Sequence, residues 1–271
     1  MDPTVSIVIP TKNSAKDFRR ALDSIRGQTF EDYELIVVDN HSTDDTAAIA
    51  AEYGATVIVA GPERSAQMNR AIAVARGRWL YRMDSDFVID PTLVEECVGI
   101  CTSGYDAVAT SVRAADGGTF WHAVKRFERD LYHGDELIVG ARFVDLQMLR
   151  DIGGFDEELV AGEDYDLHNR LLARGARIGY CKAVELHLGE ADGLADVWTK
   201  NVYYGRTILR YYRKNKGRAT AQLNPIRGAY LRNWRSFVAH PVLGLGLVAY
   251  TTVKYAAAAC GAALSLADKR A

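Results

Sequence analysis

The chain has 271 residues, 48% of them hydrophobic and 25% charged, with 33 Lys and Arg against 35 Asp and Glu. This composition excludes a disordered chain, a collagen-like chain and a disulfide-stapled miniprotein. The net charge of −2 conceals a split: residues 200–271 hold 13 basic residues and one acid, Asp268, so they carry +12 while the first 199 residues carry −14. Cys97, Cys101, Cys181 and Cys260 form no CxxC pair. Cys97 and Cys101, four apart in a predicted helix, read as small buried hydrophobes rather than metal ligands.

The first half alternates strand and helix patterns. VSIVIP (5–10) is a continuous apolar run, as in a strand buried on both faces. Starting a strand by Val5 leaves no room for a signal peptide, so the catalytic body is expected on the cytoplasmic side. Phe18, Leu22 and Ile25 share one face of a predicted helix. ELIVVDN (34–40) is a second strand, after which Ser42 and Thr43 offer caps for a helix ending near Gly54. TVIVA (56–60), a helix through 68–75 and the strand WLYRMDSD (79–86) repeat the cycle, followed by a helix after Pro91 and the strand AVATSV (107–112). Such alternation predicts a parallel sheet with right-handed crossovers. Beyond it come a helix through 120–132, the apolar run LIVGARF (137–143), a helix after Asp145, a helix over 163–173, strand-like pieces at 178–181 and 184–188, and a helix near 195–214. No Gly-Ser or Pro-rich linker marks a boundary before about residue 215. The division expected is a catalytic domain over 1–215 and a helical extension over 216–271.

Ligands of an open parallel sheet bind beyond the carboxyl ends of its strands, and polar residues gather there. The first strand ends in Pro10, Thr11, Lys12 and Asn13, the second in Asp39 and Asn40, the fourth in Asp84, Ser85 and Asp86. Any one of these reads equally as a turn cap, but three strand ends together present at least three carboxylates on one rim. No GxGxxG follows the first strand, so a standard dinucleotide-binding turn is not expected. An Asp-x-Asp pair at a strand end suits a hard divalent cation, which takes one or two carboxylates and completes its shell with water and phosphate oxygens. A phosphohydrolase of the aspartyl-phosphate type also uses such a pair, but on its first strand.

The blocks VSIVIPTKN (5–13), LIVVDNHSTDDT (35–46), SAQMNRAIAVARGRWLYRMDSD (65–86), IGGFDEEL (152–159) and GEDYDLHNRLLARG (162–175) resemble, in order and spacing, the inverting family 2 glycosyltransferases of the GT-A fold. The resemblance covers roughly residues 4–215. It implies a Rossmann-like α/β fold with a mostly parallel central sheet flanked by helices, and a nucleotide-diphosphate sugar lying across the strand ends. It further implies that Pro10, Thr11, Asn13 and Asp39 hold base and ribose, and that Asp84, Ser85 and Asp86 hold ribose and metal-bound pyrophosphate. Asp164 is then the catalytic base, and His187 joins Asp84 and Asp86 as a ligand of Mg²⁺ or Mn²⁺. Asn13 departs from the acidic residue frequent at that position. GDP- and UDP-sugars are the donors this implies, GDP-mannose foremost. The remaining alternatives are a DxD phosphohydrolase and a catalytically silent nucleotide-sugar binder.

An independent argument also reaches Asp164. Inverting transfer needs one base to take the acceptor's hydroxyl proton, while the leaving diphosphate is stabilised by metal rather than by an acid. The glycines at 153, 154 and 162 allow a tight loop before the helix on which Asp164 sits; the competing reading is an ordinary acid favoured in a first turn. Arg64 and Asn69 follow the third strand and serve either phosphate or structure, and Arg206 in YYGRT is placed to neutralise diphosphate. His41, His122, His133, His168 and His240 lack ligand-like spacing.

From Arg206 onward the chain is basic, then apolar. Ile226, Tyr230, Trp234 and Phe237 with Arg227, Arg232 and Arg235 suit the headgroup zone of an anionic bilayer. The acidic body and long apolar end argue against nucleic acid. Residues 242–267 would be about 39 Å long as a helix, against a hydrocarbon core of about 30 Å. Lys254 at the centre and the Ala/Gly-rich second half favour helices lying in the interface over a single span or helical hairpin, or over a soluble helix pair that makes oligomers. Membrane-associated C-termini in similar family members imply a lipid-linked or glycan acceptor and a peripheral or monotopic protein on the cytoplasmic face.

Overall fold

A computed structural model describes residues 2–132, 135, 137–138 and 140–268; His133 lies outside them. The chain begins with β1 (Val5–Thr11), buried along its whole length, as a continuous apolar run demands. It continues through α1 (Ala15–Arg26), β2 (Tyr33–Asp39), α2 (Thr46–Glu52), β3 (Thr56–Val59), α3 (Arg64–Val74) and β4 (Trp79–Arg82). These four strands are parallel in the order β3-β2-β1-β4, in a register that sets Thr11 beside Asp39 and Val8 beside Arg82.

Then follow β5 (Phe87–Ile89), α4 (Leu93–Thr102), β6 (Ala107–Ala114), α5 (Phe120–Leu131), β7 (Ala141–Asp145), α6 (Leu146–Asp151), α7 (Glu163–Ala173) and β8 (Ile178–His187). Here the parallel expectation fails. The sheet runs β3-β2-β1-β4-β7-β6-β8-β5, with β7 antiparallel to both β4 and β6 and β5 antiparallel to β8. The alternation that forces parallel crossovers stops after β4, because only residues 83–86 separate it from β5. For the same reason the strand expected over 79–86 ends at Arg82, leaving Asp84-Ser85-Asp86 in the turn. The pieces expected at 178–181 and 184–188 form one strand. The chain ends in α8 (Leu194–Lys214), α9 (Lys216–Gln222), α10 (Gly228–Arg232), α11 (Trp234–Ala239) and α12 (Pro241–Asp268).

Two compact units result, each discontinuous in sequence. The first comprises Met1–Val112, Gly140–Glu157 and Asp164–Leu188; the second comprises Arg113–Val139, Glu158–Glu163 and Gly189–Ala271. In the first, alternate residues of β1 feed two cores. Val5, Ile7 and Ile9 pack with Phe18, Leu22 and Ile25 of α1 and with Val94, Cys97 and Cys101 of α4. Val8 joins Met68 and Ile72 of α3, Leu149 of α6, and Leu167 and Leu171 of α7. Cys97 and Cys101 are free and buried, as the core reading requires.

The second unit is helical, built on Val124, Phe127 and Leu131 of α5, Val197 of α8, and Leu247 and Tyr250 of α12. Its α8 and α12 meet backbone to backbone. A Cβ on Gly205 would lie 2.3 Å from the Ala258 carbonyl oxygen, and one on Gly261 would lie 2.0 Å from that of Val202. The Gly/Ala-rich stretch of α12 is thus a close-packing face.

Candidate active site

The polar ends of β1 and β2 are tied together. Thr11 Oγ1 donates to Asp39 Oδ1 at 3.0 Å, and the Ser42 N–H donates to Asp39 Oδ2 at 2.8 Å. Asn13, in the left-handed region at φ 49°, accepts from the Thr43 N–H at 2.8 Å, while its own N–H donates to Ser42 Oγ at 2.8 Å. Ser42 and Thr43 therefore serve this loop rather than capping a helix. Pro10 and Asp39 are buried. Gln67, also buried, donates to the carbonyls of Thr11 and Val38 and closes the strand ends from α3.

Asn69 is held by structure: its amide donates to the Phe155 carbonyl at 2.9 Å, and its Oδ1 accepts from the Phe155 N–H at 2.8 Å. Gly154, at φ 67°, is required there, because a Cβ would lie 2.4 Å from Asn69 Oδ1.

Asp84, Ser85 and Asp86 each face a different partner. Ser85 Oγ lies 2.8 Å from Ser14 Oγ. Asp86 Oδ2 lies 3.0 Å from Nε2 of His187, which the β5–β8 pairing sets opposite Phe87. Asp84 Oδ2 accepts from Arg142 Nη2 at 2.9 Å, and Asp84 Oδ1 lies 3.8 Å from Arg64 Nη1 without a hydrogen bond. Burial pushes the Asp84 carboxyl up, but Arg142, Arg64 and Arg82 together pull it well below the usual carboxylate range.

Among the described residues no three His, Cys, Asp or Glu side chains converge on a metal position. The Asp86–His187 pair nevertheless fits a cation that takes few protein ligands and completes its shell with water and phosphate oxygens. Asp84 is instead engaged by guanidinium groups.

Three side chains of this site escaped the sequence reading. Arg142 is buried on β7, with Nε 3.0 Å from Glu185 Oε2 and its guanidinium carbon 4.8 Å from the centre of the Phe87 ring. Glu185, fully buried on β8, accepts from the Tyr81 hydroxyl at 2.6 Å. Arg82 is 5% exposed, and its Nε and Nη1 lack hydrogen-bond partners. Burial lowers its pKa, and both Asp84 and Asp164 oppose that. The available signal was an arginine inside each of two apolar strand runs, YRMDSD and GARF.

Asp164 is the second residue of α7 and is half-buried, its Oδ1 accepting from the Tyr165 N–H at 2.8 Å. Its backbone lies against Gly140, where a Cβ would be 3.7 Å from the Asp164 carbonyl oxygen. Arg206 is exposed on α8, in the second unit. Of the other histidines, His168 Nδ1 accepts from the Ala141 N–H at 3.2 Å and His122 Nε2 lies 3.1 Å from Asp192.

The profile of glycosyl transferase family 2 matches residues 6–151, more than half of the chain. The chain belongs to glycosyl transferase family 2. The succinoglycan biosynthesis protein ExoU of Rhizobium meliloti is 28% identical over 205 residues, covering 64% of this chain and 58% of ExoU. Matches to the first five curated relatives span only 20% to 59% of those proteins. Among solved structures, the mannosyltransferase PcManGT of Pyrobaculum calidifontis, in complex with GDP-Man and Mn²⁺, has a TM-score of 0.66 at 17% identity, covering 99% of this chain and 88% of that one. TarS of S. aureus, in complex with UDP-GlcNAc, has a TM-score of 0.54 at 20% identity, covering 86% and 73%. The fold is GT-A, carried by the family's sheet and extended by the apolar C-terminal helix α12.

Proposed function

We propose that this family 2 glycosyltransferase moves a sugar from a nucleotide-diphosphate sugar to an acceptor hydroxyl with inversion, and that Asp164 is the base. Asp164 takes the hydroxyl proton as that oxygen attacks the anomeric carbon and the bond to the departing diphosphate breaks. The observation that carries this reading is the single rim on which Asp39, Asp84 and the Asp86–His187 pair lie, with Asp164 against Gly140, two residues before Arg142 on the chain.

In this reading Thr11, Asn13 and Asp39 shape the pocket for base and ribose above Pro10. Asp84 and Ser85 contact the donor, Arg64 offsets phosphate charge, and Asp86 with His187 holds Mg²⁺ or Mn²⁺. A divalent cation there would neutralise charge building on the leaving diphosphate. A GDP- or UDP-sugar suits the site, GDP-mannose first. Family membership leaves the phosphohydrolase without support, and the acids at 84, 86 and 164 argue against a silent binder.

The test is a thermal-shift screen of nucleotide sugars with each metal, followed by the anomeric configuration of the product. Stabilisation by one donor and an inverted product are expected; a retained configuration would overturn the assignment of Asp164 as sole base.

The acceptor is proposed to be lipid-linked, with residues 216–271 holding the catalytic body (1–215) at the cytoplasmic membrane face, peripherally or monotopically. Support comes from the exposed Leu231, Trp234, Val238, Val242 and Leu245, with Arg235 stacked on Trp234. Lys254 lies within electrostatic reach of Glu128, and α12 packs on α8, which favours an interfacial helix over a lipid-exposed span. The same helices offer a surface for oligomers. Replacing Trp234, Val238 and Leu245 together by Ser should abolish sedimentation with anionic vesicles without lowering Tm. Unchanged sedimentation would place the membrane contact elsewhere.

A further inference from the structure

The buried residues around Asp84 form a chain of contacts that runs across β4, β7 and β8. Tyr81 and Arg82 are consecutive on β4, Arg142 precedes the β7 residue Phe143 that pairs with Tyr81, and Glu185 lies two residues before His187 on β8. The Tyr81 hydroxyl donates to Glu185 Oε1 at 2.6 Å, Glu185 Oε2 sits 3.0 Å from Arg142 Nε, and Arg142 Nη2 donates to Asp84 Oδ2 at 2.9 Å. The guanidinium is therefore held between two carboxylates, hydrogen-bonded to Asp84 and ion-paired with Glu185 without a hydrogen bond, with the Phe87 ring against its face at 4.8 Å.

A guanidinium held between two carboxylates in this way restrains Nη2, and so restrains the orientation of Asp84. The other carboxylate oxygen, Asp84 Oδ1, makes no hydrogen bond. It is a carboxylate oxygen whose capacity to accept is not used within the described residues.

We propose that Arg142, braced by Glu185 and Tyr81, is a positioning residue of the donor site: it fixes the carboxylate of Asp84 for the nucleotide and acts on the ligand only through Asp84. This rests on the reading of Asp84 as a donor contact. The arrangement costs stability elsewhere, because four buried polar side chains replace apolar packing in the middle of a sheet. That expense makes sense where orientation matters more than packing. Lysine is not equivalent to the arginine, since a compact ammonium cannot face Glu185 and Asp84 from the two ends of one delocalised planar group.

The experiment is a double-mutant cycle on the full chain, reading the Kd for UDP and for GDP, each with Mn²⁺, by calorimetry. Asp84→Asn should weaken binding. Arg142→Lys should weaken it by about tenfold in the wild-type background, as expected for a hydrogen bond to a charged group. In the Asp84→Asn background the same change should cost less than about twofold, since independent sites would add. Tyr81→Phe, which keeps the packing and removes only the brace, should weaken binding by a few-fold and lose its effect in the same background.

Additive losses, or full affinity in Arg142→Lys, overturn the positioning role while leaving the donor reading intact. Unchanged binding in Asp84→Asn overturns the donor reading of Asp84 itself. A wild-type protein that binds neither nucleotide overturns both. If Arg142→Lys fails to fold, the Tyr81→Phe cycle decides alone.

Discussion

Each unit of the molecule buries a cluster of charges, and the two clusters are finished differently. In the helical unit, Glu128 of α5 accepts at Oε2 from Lys125 and at Oε1 from the hydroxyls of Tyr132 and Tyr230, 2.7 and 3.1 Å away, and those hydroxyls lie 2.6 Å from each other. Burial pushes the Glu128 carboxyl up, yet Lys125 and Lys254 hold it well below the usual range. At the strand ends of the first unit, Asp84 Oδ1 and the Nε and Nη1 of Arg82 have no hydrogen bond. Interiors satisfy their polar groups nearly everywhere, and each unfinished one calls for a specific reason. Both oxygens of Glu128 are engaged inside the helical unit, whereas Asp84, with one oxygen engaged and one not, lies in the candidate site. Substitutions should separate the two: loss of function without loss of stability in the first unit, and the reverse in the second.

The largest effect is expected at Asp164. Asp164→Asn keeps the side chain's size while removing its basicity, so transfer should fall by about 10²- to 10⁴-fold, the range a general base supplies. Nucleotide affinity and Tm should stay near wild type. Near-normal turnover would remove Asp164 as the base, and a large fall in Tm would move it into the structural class.

Next comes Glu128→Ala, which leaves Lys125 and Lys254 without the carboxylate that faces them. Breaking one partner out of a buried ionic group typically costs about 3–5 kcal/mol, to be read by urea denaturation. The folded fraction should bind nucleotide with unchanged Kd. If binding fails while stability holds, the contrast between the clusters is inverted.

How far the sequence was readable follows the same division. Continuous runs such as VSIVIP announce buried parallel strands, and the helix carrying Phe18, Leu22 and Ile25 declares its face by spacing. The rim residues Thr11, Asp39, Asp84 and Asp86 were legible because they end such runs. The antiparallel half was not, since the alternation that implies crossovers ceases after β4. Nor were Arg82, Arg142 and Glu185, whose meaning depends on cross-strand neighbours rather than on anything local. Lys254 misled in a similar way. In sequence it is a charge in the middle of an apolar helix, and only the folded unit supplies Glu128 to face it.

Lys254 also provides the finest test of the finished cluster. Burial pushes its ammonium down to about 8; Glu128 opposes this, while Lys125, Arg227 and Arg129 add to it. A lysine in the unfolded chain titrates near 10.4. Between these values the unfolded state binds more protons than the native state, so this group makes stability rise with pH over that window, by at most about 1.4 kcal/mol per pH unit. Two thiols act against it: Cys97, raised by its hydrogen bond with Cys181 and by burial, and Cys101, pushed by burial up to about 12. They keep their protons when folded while unfolded thiols ionise from about pH 8.5, and the tyrosines follow above about pH 10. Tyr132 and Tyr250 are raised by burial and keep their protons when folded, so stability then falls as unfolded tyrosines ionise. Lys254→Met fills the same space without a charge, so its denaturation midpoint at pH 7 should be higher than that of the wild type. The wild type should close the gap between about pH 8 and 10 as its Lys254 loses the proton. The cysteines and tyrosines are common to both proteins and cancel in this difference. A gap that is absent at pH 7 and stays absent would mean that Glu128 compensates Lys254 fully.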